Sequence, residues 1–243
     1  MIKIGADRIP HLHDDLLSHS IRVAGLLYHY GRPMDEVKAG LFHSIYGNEF
    51  QMYKINVSRE EAKDLYSKYI TQELALKIDG TVNQNINPFS DLNLAKEIKK
   101  DYNEQHFPLY IAEIESEKYY VIELRGVGLW DAIWGYMSLK SDFNTVNGVS
   151  FDHKGETAGL GAEITKDWFK ESFIDEKVFN SSGELVGITV LKGNNDPGNK
   201  DKDDHEVDAI SGSTITGDGV TNMIIERLNN YLPYLEKLNV AQL

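Results

Sequence analysis

A hydroxyl-rich turn of small residues at the mouth of a helix can hold phosphate oxygens, and Asp208-Ala-Ile-Ser-Gly-Ser-Thr-Ile-Thr-Gly-Asp-Gly-Val220 has that composition. Gly212 lets the backbone approach an anion, and the free N–H groups and dipole of the first helical turn favour negative charge there. The same residues also suit a plain capped helix start, with Thr216 as N-cap. A second stretch, His153-Lys-Gly-Glu-Thr-Ala-Gly-Leu-Gly-Ala-Glu163, has glycines at 155, 159 and 161. They permit a tight backbone passage whose amides could meet polar oxygens of a ligand, although a glycine cluster is also simply a turn. Trp130 and Trp134 lie in a glycine-bounded strand turn. Trp130 is expected to cover a flat ring, and Trp134 to join the core.

A third constellation lies near the N-terminus, in Ser18-His-Ser-Ile-Arg-Val-Ala-Gly25 and Ala39-Gly-Leu-Phe-His-Ser-Ile-Tyr-Gly47. His19 and His43 are candidate ligands for a divalent metal, and His11, His13, Asp14 and Asp15 could add to them. Ser44 follows His43, and a neutral hydroxyl is a poor ligand for a hard cation, so a metal-free helical hairpin is the simpler expectation.

These residues need elements to place them. Apolar spacing predicts one helix around Leu16–Leu27 and a second around Val37–Ile45, broken by Gly31, Arg32 and Pro33. A third is expected over Arg59–Leu74, behind Ser58 as N-cap, leading into a polar segment over Asp79–Asn103. Beyond Phe107 the period becomes two. Leu109–Ile114 and Tyr119–Leu124 read as paired strands around a charged turn, followed by strands at Ile133–Leu139 and Thr145–Phe151. A short amphipathic helix is expected over Ile164–Phe173, and a hairpin joining Lys177–Phe179 to Leu185–Leu191 around Ser181, Ser182 and Gly183. Then come a charged loop over Asn194–His205 and a closing helix over Thr216–Leu238, with Val220, Met223, Ile224, Leu228 and Leu232 on one face. The fold class is therefore α+β, an antiparallel twisted sheet flanked by helices. A helical segment over 1–58 precedes one larger domain over 59–243.

Charge divides the chain at the same place. Residues 1–60 hold seven basic and seven acidic residues, so the net charge of −13 belongs to the rest. That surface repels phosphate backbones and anionic headgroups, which argues against nucleic acid and direct lipid binding. There is no cysteine, so there is no disulfide, thiol nucleophile or iron–sulfur ligation, and redox chemistry would require a bound cofactor. The apolar run Ile21–Leu27 is far below the ~20 residues of a membrane helix. No signal peptide pattern is visible.

Ser211-Gly212-Ser213-Thr214, with Asp208 before it, resembles the flavinylation motif of FMN-binding domains. The likeness extends through Leu74-Ala-Leu-Lys-Ile-Asp-Gly80, Gly126-Val-Gly-Leu-Trp130, Ile133-Trp-Gly135 and the 153–163 stretch. Residues from about 60 to 240 are similar to the C subunit of the sodium-translocating NADH:quinone oxidoreductase, and more distantly to the corresponding Rnf subunit. The resemblance implies FMN carried on Thr214 through a phosphoester. Glu156, Thr157, Gly159, Leu160 and Gly161 would then be walls of the flavin site. Ser213 stands where alanine is usual and offers a second hydroxyl, and Ala158 stands where proline is usual.

The resemblance further implies an electron-transfer subunit, not catalytic alone, within a bacterial inner-membrane respiratory complex. Its flavin domain would face the periplasm, its partners would be the other subunits, and a separate flavin transferase would mature it. No strand followed by Gly-x-Gly-x-x-Gly and a helix suggests an NADH site of its own. Residues 16–47 resemble a fragment of an HD-type metal-dependent hydrolase, which would make the acidic part an accessory. A binding module with an empty flavin pocket is a third reading.

Overall fold

The computed structural model describes residues 67–195 and 199–241. Five strands form an antiparallel meander in chain order: β1 (Ile70–Lys77), β2 (His106–Ile114), β3 (Glu117–Val127), β4 (Ala132–Leu139) and β5 (Val146–His153). Alternation in the sequence puts one apolar row on one face. Leu109 pairs with Ile122, Ile122 with Met137 and Met137 with Val149, and all four are buried. The charged turn between β2 and β3 is Glu115 and Ser116, both at positive φ, as a tight two-residue connection requires.

The sequence misplaces β1. Residues 70–74, expected as the end of a helix, are strand, and only 67–69 are helical among the described part of that stretch. Pairing decides this. Leu74 lies opposite Leu109 and Leu76 opposite Phe107, and burying Leu76 against that row outweighs a modest helical preference. The polar segment after β1 is ordered by its own asparagines. Asn87 caps α1 (Pro88–Asp91) by accepting from the amides of Phe89 and Ser90, and Asn93 caps α2 (Leu94–Glu97) by accepting from Lys96.

After β5 the chain passes through a 3-10 turn over Gly161–Thr165 into α3 (Asp167–Glu171), shorter than expected. Phe169 and Phe173 pack on Phe151 with ring centroids 5.9 Å and 5.2 Å away. The expected hairpin over 177–191 shrinks to one bridge, Phe179 with Leu185. Gly187, at φ +70° and close against Ile225, turns the chain away, and β6 (Thr189–Val190) instead pairs in parallel with β7 (Glu206–Val207).

The last helix, α4 (Thr214–Ala241), runs for 28 residues along the apolar face. Val220, Met223, Ile224, Leu228 and Tyr231 are all buried, while Leu232 turns half outward. Two glycines set how closely it approaches. A Cβ at Gly219 would lie 2.4 Å from the Val127 carbonyl oxygen, and one at Gly126 would lie 2.7 Å from Met223 Cβ. The start of α4 is thereby held against the end of β3. No helix among the described residues is long and apolar enough to cross a membrane.

Candidate functional site

The turn before α4 ends in Gly212 at φ +73°, a conformation that glycine adopts without strain. Ser213 follows, with its amide bonded to the Ile210 carbonyl at 3.0 Å, and the Gly217 amide closes the first helical turn onto the Ser213 carbonyl at 2.9 Å. Thr214 therefore occupies the first helical position, and its side chain is exposed. Thr216, expected as the N-cap, lies inside the first turn and is buried. Its hydroxyl donates to Glu156 Oε2 at 2.6 Å.

Glu156 is buried and braces three segments at once. Its Oε1 accepts from the Trp130 amide at 3.0 Å, its Oε2 accepts from Thr216, and its own amide donates to His153 Nδ1 at 3.0 Å. Glycine is needed on both sides of this carboxylate. A Cβ at Gly161 would lie 2.3 Å from Oε2, and one at Gly128 would lie 2.6 Å from Oε1. Gly155, by contrast, has open space around it and no unusual φ, so the tight passage expected there belongs to Gly161.

Together these segments enclose a pocket of about 250 Å³. Glu156, Thr157, Leu160, Gly161, Gly212, Ser213 and Thr214 line it, joined by Leu129, Ile215 and Thr216. Ser213 Oγ is buried without a hydrogen-bond partner. Four other candidates lie around the pocket rather than in its wall. Trp130 is 67% exposed, and its indole N–H donates to Thr157 Oγ1 at 3.1 Å. Gly159, at φ +76°, donates its amide to Glu163 Oε1 at 3.3 Å. Asp208 Oδ1 accepts from the Asn195 amide at 2.8 Å, tying the charged loop to the turn, and Ser211 is exposed. Asp131, beside Trp130, bonds Lys154 at 2.8 Å, and this contact holds its carboxyl below the usual range. Trp134 is buried, as expected, under Arg125 at 5.4 Å.

His19 and His43, with His11, His13, Asp14 and Asp15, lie outside the described residues. Among the described residues no group of three or more metal-binding side chains comes together. Sequence reasoning missed the brace between Thr216 and Glu156. No local spacing signals it, because the two residues are 60 positions apart.

The profile of the FMN-binding domain matches residues 128–229, which span the braced turn, the 153–163 stretch and the start of α4. Over 186 residues the chain is 30% identical to the C subunit of the Na(+)-translocating NADH-quinone reductase of Pseudomonas aeruginosa, covering 69% of this chain and 70% of that protein. The chain belongs to this C-subunit family. The Haemophilus ducreyi relative of the same name is 40% identical over 123 residues, 50% of this chain and 46% of that protein, so the chain spans about half the length of that relative. The crystal structure of the C subunit from Parabacteroides distasonis superposes with a TM-score of 0.63 at 36% identity, covering 74% of this chain and 85% of that one. The crystal structure of NqrC from Shewanella oneidensis has the same fold, with a TM-score of 0.63 at 22% identity over 93% of this chain and 97% of that one. The likeness to these structures thus supports the α+β antiparallel architecture. Residues 1–72 match a different profile, a domain of unknown function designated DUF6817.

Proposed function

We propose that this chain is the FMN-carrying electron-transfer subunit of a sodium-translocating NADH:quinone oxidoreductase, with the flavin joined to Thr214 Oγ through a phosphoester. The observation that carries the reading is the contrast between neighbouring hydroxyls. Thr214 is exposed at the first position of a 28-residue helix, whereas Ser213 is 5% exposed beneath it. An incoming flavin nucleotide can reach the threonine without rearranging the turn.

The chain's own groups suit a phosphate tether. The first amides of α4 have no helical acceptors and, with the helix dipole, offset negative charge on phosphate oxygens. The buried Ser213 hydroxyl is a spare donor beside them. Glu156, although a carboxylate, has Oε1 held by Trp130 and Oε2 held by Thr216. It positions the turn rather than meeting the ligand. Leu129, Leu160 and Ile215 give the pocket an apolar rim, each 41% or more exposed, and Trp130 stands next to it. When bound, FMN supplies the electron-transfer chemistry, and the protein supplies attachment, orientation and local polarity.

Attachment requires a flavin transferase, and the partners are the other subunits of a bacterial inner-membrane complex, with this domain on the periplasmic side. The chain divides into a segment over 1–58 and the flavin domain over 59–243. Denaturing gel electrophoresis of the chain co-expressed with a flavin transferase tests the reading. A band that fluoresces as flavin after denaturation is expected, and a colourless band, with the transferase active on a control substrate, would overturn it.

A further inference from the structure

A larger cleft of about 690 Å³ opens on the other side of the Gly128–Trp130 turn, and it shares no lining residue with the flavin pocket. Its walls come from the end of α2, the end of β3 and the middle of α4. We propose that this cleft is a second binding site, for a small aromatic carboxylate.

Three cations from three elements converge there: Lys99, Arg125 and Arg227. In a chain of net charge −13, such a convergence is a local reversal of sign. The two carboxylates in the wall do not cancel it. Asp131 bonds Lys154, which is outside the cleft, at 2.8 Å, and Glu226 bonds Arg227 Nη2 at 3.1 Å. Arg227 lines the cleft with its side chain 11% exposed. A planar carboxylate matches the fork of an arginine, and Lys99 and Arg125 stand in the same wall.

Charge and walls narrow the class further. With Asp131 paired to Lys154 and Glu226 to Arg227, Lys99 and Arg125 are left to face an anion. The remaining wall is apolar, with Ile98, Met223 and the exposed face of Trp130 available to a flat ring. The volume is in the range of small-molecule sites and several times that of a bare carboxylate.

The probe is 2-naphthoate, titrated into both the flavin-loaded chain and the unmodified chain, with calorimetry and amide chemical shifts as readouts. Uncharged 2-naphthol and acetate serve as controls. Saturable naphthoate binding is expected in both forms, with shifts centred on Gly126, Val127, Met223 and Arg227. Arg125→Gln and Arg227→Gln should each weaken it at least tenfold, Arg125→Lys less, and naphthol and acetate should bind at least tenfold more weakly. Thermal unfolding of each variant separates loss of binding from loss of fold. The proposal is overturned by absence of saturable binding at millimolar naphthoate, by folded arginine variants that bind as wild type, or by shifts centred on Gly212–Ile215. Binding confined to the unmodified chain would also overturn it, because the cleft would then belong to the flavin.

Discussion

Glu156 and Thr216 are 60 residues apart in the chain and 2.6 Å apart in the structure, and their contact holds the turn before α4 against the strand turn at Trp130. Replacing Glu156 with alanine leaves the Thr216 hydroxyl and the Trp130 amide without their acceptor, at a cost of about 1–3 kcal/mol per buried group. A fall of that size in the urea unfolding free energy is expected for Glu156→Ala, and a change below about 0.5 kcal/mol would show that the brace is dispensable. The neighbouring glycines give a matched pair. Gly161→Ala places a methyl 2.3 Å from Glu156 Oε2 and should cost about 1–3 kcal/mol, whereas Gly155→Ala meets nothing within 4 Å and should be neutral within about 0.5 kcal/mol. Composition marked the small, hydroxyl-rich turn around Gly212 and the glycines of the 153–163 stretch, whereas Thr214 was singled out only by the resemblance of Ser211–Thr214 to a flavinylation motif. Neither marked the brace, because a hydrogen bond between distant residues leaves no local spacing.

Among the elements, β2 to β5 were legible as short runs rich in apolar, aromatic and β-branched residues bounded by turns. β1 was not, since the residues before it carry a helical spacing and only pairing with β2 reveals the strand. The segment between α3 and β6 shows another effect of burial, where Glu176 meets Asn199 and Lys202 from the loop after β6. Glu176 is fully buried, with Oε1 accepting from Asn199 Nδ2 at 2.7 Å and forming an ion pair with Lys202 Nζ at 3.7 Å. Burial pushes its carboxyl up to about 7, with Asp204 and Asp201 adding to the rise and Asn199 and Lys202 opposing it. A pKa raised on folding favours the protonated form, so this contribution is fully present below about 4.5 and is lost as pH rises through about 7. Glutamine does not titrate. Glu176→Gln should therefore gain on wild type between pH 5 and pH 8, by up to about 3 kcal/mol in urea unfolding, since each tenfold change in an acid dissociation constant corresponds to ~1.4 kcal/mol. Parallel pH profiles for the two proteins would contradict this.

Residues 1–60 are electrically balanced and the net charge of −13 lies beyond them, while residues 1–72 and 128–229 match different family profiles. The family was legible only from ordered motifs spread between residues 74 and 214. The large cleft beside Arg125 and Arg227 was not legible, because its walls are drawn from three separated segments. The electron-carrier reading turns on one oxygen atom, Thr214 Oγ, and one measurement addresses it most directly: intact mass of the denatured chain after co-expression with a flavin transferase, for wild type, Thr214→Ala and Ser213→Ala. Wild type and Ser213→Ala should each gain the mass of one FMN less one water, and Thr214→Ala should gain nothing. A gain that persists in Thr214→Ala and disappears in Ser213→Ala would place the ester on the buried serine and contradict the account.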